Sequence, residues 1–279
     1  MSVTLYTAPD CIRCRVVKSF LADKQLAYEA VDFLEHKDTF NAFYRANRPA
    51  IYRNPEGVEF PLYSDGTVIK QGSGEVIAYL LSGHEMEGSV TRSDLLHGWI
   101  SGLYPSLCPK AHEDHFVDLV GRLAAGGLKV YLQPDGRNPD LLRRLLETKA
   151  VTRVVLNILG PASLYESAFG GPIDAAALAE SVKLVKGFAG GEIRLLVSPI
   201  KREDGTYSWL TSAEAGEAAK MLADACQEPQ LPLGMAAVTA AMPQGLQGLE
   251  AFAPEQMLPY RSVMRRHMFK ADISKPEAL

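Results

Sequence analysis

The chain has 279 residues, 47% of them hydrophobic, and a formal net charge of -4. That apolar fraction suffices for sizeable cores in one large or two medium domains, and the mild negative charge argues against a nucleic-acid surface. Four cysteines are too few for a disulfide scaffold, no stretch approaches the roughly 18 apolar residues of a membrane span, and no basic-then-apolar leader opens the chain; we therefore expect a soluble cytoplasmic protein that engages neither nucleic acid nor membrane.

The first predicted element is a short alternating strand over residues 3–6. It runs into a turn and then a helix over 14–26, with Val16, Val17, Phe20 and Leu21 on one face. A second strand is expected over 28–32. The next helix starts at Asp38 as N-cap and runs to about residue 44. Strands over 60–63 and 68–71 flank Ser64-Asp65-Gly66-Thr67, a hairpin turn signal. Gly72-Ser73-Gly74 then opens a helix through residue 81.

Residues 83–92 are polar and carry Gly83 and Gly88, which marks a linker between a domain of residues 1–82 and another of 93–279. A helix is expected from Ser93, with Leu95, Leu96, Trp99, Ile100 and Leu103 on its apolar stripe. Apolar strands follow over 128–133, 153–158 and 192–197, alternating with helices. Asn138-Pro139 reads as an N-cap followed by proline at the first helical position. Thr211-Ser212-Ala213-Glu214 reads as a capping box. Alternating strands and helices imply β-α units and a mainly parallel, covered sheet. Residues 229–254 are rich in Gly, Pro, Ala and Met and are expected to be irregular. A last helix is expected over 255–270, with Pro259 in its first turn or at a kink.

The chemistry-bearing feature is Cys11-Ile12-Arg13-Cys14 at the strand-to-helix turn. Thiols three residues apart on one helical turn can close a disulfide without moving the backbone. At a helix N-terminus the unpaired N–H groups and the dipole favour thiolate, the attacking species. Cys11 is thus the candidate nucleophile and Cys14 the resolving thiol, with Arg13 and Arg15 adding positive charge beside them. A zinc site would want a second ligand pair, and the sequence has no second C-x-x-C. Cys108, His112 and His115 have a spacing that permits metal binding but lack carboxylate support. We assign no metal site. Cys226 reads as a small buried apolar residue, and Tyr260, Arg261, Arg265, Arg266 and Lys270 give the last helix a basic, solvated face.

The string Tyr6-Thr7-Ala8-Pro9-Asp10-Cys11-Ile12-Arg13-Cys14 resembles the glutaredoxin family of the thioredoxin fold. It is most similar to the redoxins that give electrons to ribonucleotide reductase. Phe60-Pro61 and Gly72-Ser73-Gly74-Glu75 fall, in order, where that family has its cis-proline and its glycine-containing turn. The resemblance covers residues 1–82. It implies a cis Phe60–Pro61 bond that leaves the Phe60 backbone open to an extended substrate. It also implies binding of substrate or glutathione by Phe60, Pro61, Gly72 and Ser73, with Arg13 beside them. The position three residues before Cys11, a lysine in many glutathione-using members, is Ala8. Residues 44–59 carry Arg45, Arg48 and Arg53. These read either as carboxylate capture, on glutathione or on a partner's acidic tail, or as a solvated basic loop.

In the second part, Lys129-Val130-Tyr131-Leu132-Gln133-Pro134-Asp135-Gly136, Val154-Val155-Leu156-Asn157-Ile158 and Gly191-Glu192-Ile193-Arg194-Leu195-Leu196-Val197 resemble the last three strands of radical SAM activating enzymes, a partial barrel. The cluster motif Cys-x-x-x-Cys-x-x-Cys is missing, so radical chemistry is not expected. Asp135, Asn157 and Arg194 are candidate polar contacts at strand C-terminal ends, or ordinary loop and edge residues.

The fold expectation is α/β: a thioredoxin-fold domain followed by a β-α repeat domain with a mainly parallel sheet. The functional expectation is a glutaredoxin-like thiol–disulfide oxidoreductase that reduces a protein disulfide, in ribonucleotide reductase or a related enzyme. The second domain would select the partner. No cofactor is required, and glutathione is a candidate reductant. The alternative is a non-catalytic redox-sensing or docking module.

Overall fold

The computed structural model describes residues 3–54, 57–92, 98–239 and 245–274. One compact unit comprises Met1–Leu103, Leu107–Val130 and Thr148–Val151; the other comprises Tyr104–Ser106, Tyr131–Glu147 and Thr152–Leu279.

The first unit opens with β1 (Thr4–Thr7), α1 (Ile12–Asp23), β2 (Glu29–Asp32) and α2 (Lys37–Ala46). Two-residue strands β3 (Arg53–Asn54) and β4 (Gly57–Val58) precede β5 (Leu62–Ser64), β6 (Ile69–Gln71) and α3 (Ser73–Ser82). The four-stranded sheet has the order β2-β1-β5-β6, with β1 parallel to β2 and antiparallel to β5, and β5 antiparallel to β6. This mixed sheet with its helices is a thioredoxin-like region. Register explains its core: Tyr6 and Leu62 are cross-strand partners and share a cluster with Val31, Phe40 and Ile51. The helical stripe of α1 behaves as its periodicity predicts, with Val16, Val17, Phe20 and Leu21 all buried.

The β5–β6 turn is held by Asp65. Its carboxylate accepts from the backbone N–H groups of Val68 (2.8 Å) and Thr67 (2.9 Å), from the Thr67 hydroxyl and from the Tyr79 hydroxyl. These bonds, that from Val68 first, hold the Asp65 carboxyl well below the usual carboxylate range. A carboxylate with a depressed folded pKa contributes stability above its unfolded pKa of about 3.9, and loses it as pH falls through the folded value. Asp65→Asn is therefore expected to cost about 1 kcal/mol at neutral pH. Urea titrations should show the gap from wild type closing below pH 4.

Beyond α3, Met86, Ser89 and Val90 are buried, and Val90 bridges Leu103. The unit continues with β7 (Trp99–Leu103) and α4 (Glu113–Ala125). The expected helix from Ser93 is corrected over Trp99–Leu103, which is strand; residues 93–97 lie outside the described residues. The spacing of Trp99, Ile100 and Leu103 suits a helix, but Gly98 and Gly102 have φ of 87° and 73°. At Gly102 a Cβ would lie 2.5 Å from the Thr91 carbonyl oxygen, so the strand runs closely past Thr91, whose N–H donates to Gly102 O.

The remaining elements are β8 (Lys129–Leu132), α5 (Pro139–Glu147), β9 (Val151–Ile158), α6 (Ala162–Ala168), α7 (Ala175–Lys186), β10 (Gly191–Val197), β11 (Pro199–Lys201), β12 (Tyr207–Trp209), α8 (Ser212–Cys226), β13 (Leu233–Ala237), α9 (Met257–Met264) and β14 (Ala271–Ile273). A six-stranded sheet has the order β14-β13-β10-β9-β8-β7. In it β9 pairs with β10, β10 with β13 and β13 with β14, all in parallel, as the α/β alternation implies, and β11 and β12 form a separate antiparallel pair. Asn138 caps α5 through Leu141 N, and Thr211 with Glu214 closes the predicted capping box of α8.

Two expectations are corrected here. The stretch 229–254 contains β13, buried at Leu233 and Met235. Gly234 permits the pairing, since a Cβ there would lie 2.4 Å from Ser274 Oγ. Its residues 240–244 lie outside the described residues. The last helix ends at Met264, and Ala271–Ile273 instead pairs with β13. Among the described residues no helix is long and apolar enough to cross a membrane.

Candidate dithiol site

Cys11 is the N-cap of α1, with extended backbone, and its Sγ accepts from Cys14 N–H at 3.1 Å. The cap geometry therefore already aims an orphan helix N–H at the sulfur, the arrangement that favours a thiolate there. The two cysteines are joined as a disulfide with their Cα atoms 5.2 Å apart. Cys14 is buried and Cys11 only partly so. Asp10, at φ 52°, makes the turn that brings β1 into the helix.

The Phe60–Pro61 bond is cis. Pro61 O accepts from Gly72 N–H at 2.9 Å, tying the proline to the turn that opens α3. Phe60 stacks on Phe33 with centroids 5.0 Å apart and tilts against Phe40. Among the described residues, neither its N–H nor its C=O makes a hydrogen bond. Such a backbone edge can accept an added strand.

Arg13 does not project into solvent. Its Nη1 donates to Glu59 Oε1 (2.5 Å) and its Nη2 to Trp99 O (2.9 Å). Gly72 lies against the same carboxylate, a Cβ there falling 3.3 Å from Glu59 Oε1. Ser73 is buried, and among the described residues its Oγ has no hydrogen-bond partner. Gly74 packs under Val90 and Ile100, so the turn is covered by the chain itself. Arg92 stacks 3.3 Å over the Tyr52 ring and stands 3.9 Å from Glu59. Burial pushes the Glu75 carboxyl up.

Arg13, Pro61, Gly72 and Ser73 are thus gathered by Glu59 and the Pro61–Gly72 bond. Arg48 and Arg53 are not. Both are exposed, as is Arg45, and none forms an ion pair among the described residues. Arg53 pairs across β3–β4 with Val58, two residues before Phe60. Sequence reasoning missed Glu59, Trp99 and Arg92. Glu59 carried a signal, an acid beside Phe60-Pro61 opposite in charge to the arginine between the cysteines.

Elsewhere, Arg194 and Asn157 share a register position on β10 and β9, both buried, and Arg194 Nε donates to Asn157 Oδ1 at 3.0 Å. Asp135 instead forms an ion pair with Arg137. Burial pushes the Cys108 and Cys226 thiols up to about 11, away from reactivity. Among the described residues no cluster of three metal-ligating side chains occurs.

No protein-family model matches the chain, and no curated protein does. A solved structure it is similar to is NrdH-redoxin from Escherichia coli, described as a glutaredoxin-like protein with a thioredoxin-like activity profile. That likeness has 20% identity, covers 26% of this chain and 84% of the redoxin, and has a TM-score of 0.22.

Proposed function

We propose that the chain is a glutaredoxin-like thiol–disulfide oxidoreductase that reduces a protein disulfide. The observation that carries the reading is Cys11 as the N-cap of α1, its sulfur receiving the Cys14 N–H and joined to Cys14 as a disulfide. The Cys11 thiolate attacks one substrate sulfur, and the other leaves as thiolate and takes a proton. Cys14 then displaces the reduced substrate from the mixed disulfide, leaving the Cys11–Cys14 disulfide. Two electrons and two protons pass to the substrate, and a dithiol or two glutathione molecules restore the reduced pair.

An extended substrate segment would lie along the Phe60 backbone, with Pro61, Gly72 and Ser73 behind it. Arg48 and Arg53, exposed and in no ion pair among the described residues, would receive acidic residues of the partner. Arg13 is engaged by Glu59, so it shapes the site rather than capturing a substrate carboxylate. The family resemblance suggests ribonucleotide reductase or a related enzyme as partner, chosen by the second unit; fold-level analogy alone carries that step. We assign no radical chemistry to the second unit.

The test is trapping by Cys14→Ser. Incubated with a peptide containing one disulfide, this variant should accumulate a 1:1 covalent adduct at Cys11 that dithiothreitol releases. Absence of the adduct, or its formation on Cys108 or Cys226, would contradict the proposal.

A further inference from the structure

We infer that Glu59 is a positioning residue of the dithiol site: it holds the guanidinium of Arg13, the residue between the two cysteines in sequence, and offsets its charge at the first turn of α1. The inference rests on the thiol-exchange reading above and adds to it what sets the reducing power of the pair.

The Glu59 and Arg13 side chains are only 10% and 11% exposed. An arginine so buried is costly without a carboxylate, and breaking such a pair leaves an uncompensated charge. Glu59 supplies the carboxylate, and Trp99 O takes a second guanidinium nitrogen. The same residue is fixed from behind: its backbone C=O accepts from Gln71 Nε2 at 3.0 Å, and Gln71 also exchanges two bonds with the Tyr52 backbone. Glu59 leads directly into Phe60. One side chain therefore connects the first turn of α1, which bears both sulfurs, to the segment proposed to receive the substrate.

The electrostatic consequence has a definite sign. A cation in the first turn of α1 stabilises the Cys11 thiolate, hence the reduced form, and makes the disulfide more oxidising. The Glu59 carboxylate opposes this. Neutralising Glu59 should favour the dithiol, and neutralising Arg13 should favour the disulfide.

The experiment equilibrates the full chain with defined ratios of reduced and oxidised dithiothreitol and counts alkylated thiols by mass. Glu59→Gln should shift the equilibrium toward the dithiol about 5–10-fold, roughly 20–30 mV at 29.6 mV per tenfold. Arg13→Gln should shift it the other way, and the double variant should return within about twofold of wild type. Should Glu59→Gln not fold, as judged by circular dichroism, the opposite shift of Arg13→Gln remains required. A Glu59→Gln value within twofold of wild type, or an Arg13→Gln shift of the same sign, overturns the inference. A purely structural pair would lower stability without opposed shifts. If wild type shows no reversible couple at all, the thiol-exchange reading fails first, and the two failures are told apart.

Discussion

Cys11→Ser is expected to lower disulfide-reducing turnover by about 10³-fold or more, the scale on which deleting a nucleophile acts. The hydroxyl is not ionised at neutral pH, so the N–H that Cys14 aims at position 11 has no thiolate to stabilise. Cys14 cannot substitute, being buried behind the cap. Nor can Cys108 or Cys226, whose thiols burial pushes up to about 11. Dithiothreitol-driven reduction of a protein disulfide, followed with wild type and Cys11→Ser side by side, checks this. Activity in the variant within tenfold of wild type would remove Cys11 from the mechanism.

Phe20→Ala is expected to destabilise the first unit by about 3–5 kcal/mol, the cost of deleting a large buried side chain and leaving its cavity. Phe20 is 2% exposed on the buried face of α1, the helix that presents the cysteines. Its ring also lies under the Arg122 guanidinium at 5.0 Å, and Arg122 is held by Asp118 and Asp23. Against a total stability of about 5–15 kcal/mol the loss is large. With a urea slope of about 2 kcal/mol/M the midpoint of the transition containing this unit should fall by roughly 2 M. A fall below 0.5 M would mean that the α1 face is not the core described here.

What could be read from the sequence divides by range. The C-x-x-C cap, the Asp65 turn, Asn138 before Pro139 and the Thr211–Glu214 box each lie within four residues, where spacing and side-chain chemistry decide the structure locally. The alternation of strands and helices likewise carried the α/β class. The strand at Trp99–Leu103 and the strands β13 and β14 depend on partners far along the chain, and local pattern pointed elsewhere. At Trp99–Leu103 helical spacing competed with two left-handed glycines, and the glycines prevailed. The Arg13–Glu59 pair spans 46 positions. Sequence showed two opposite charges beside two landmarks of one site; only the fold brings them into contact.

Cys11 and Cys14 are expected to form one reversible two-electron couple. A redox titration of the full chain against dithiothreitol, with thiols alkylated and located by peptide mass, tests it most directly. A single transition is expected, in which Cys11 and Cys14 gain and lose label together while the labelling of Cys108 and Cys226 stays constant across it. Independent labelling of Cys11 and Cys14, or no change with the dithiothreitol ratio, would contradict it.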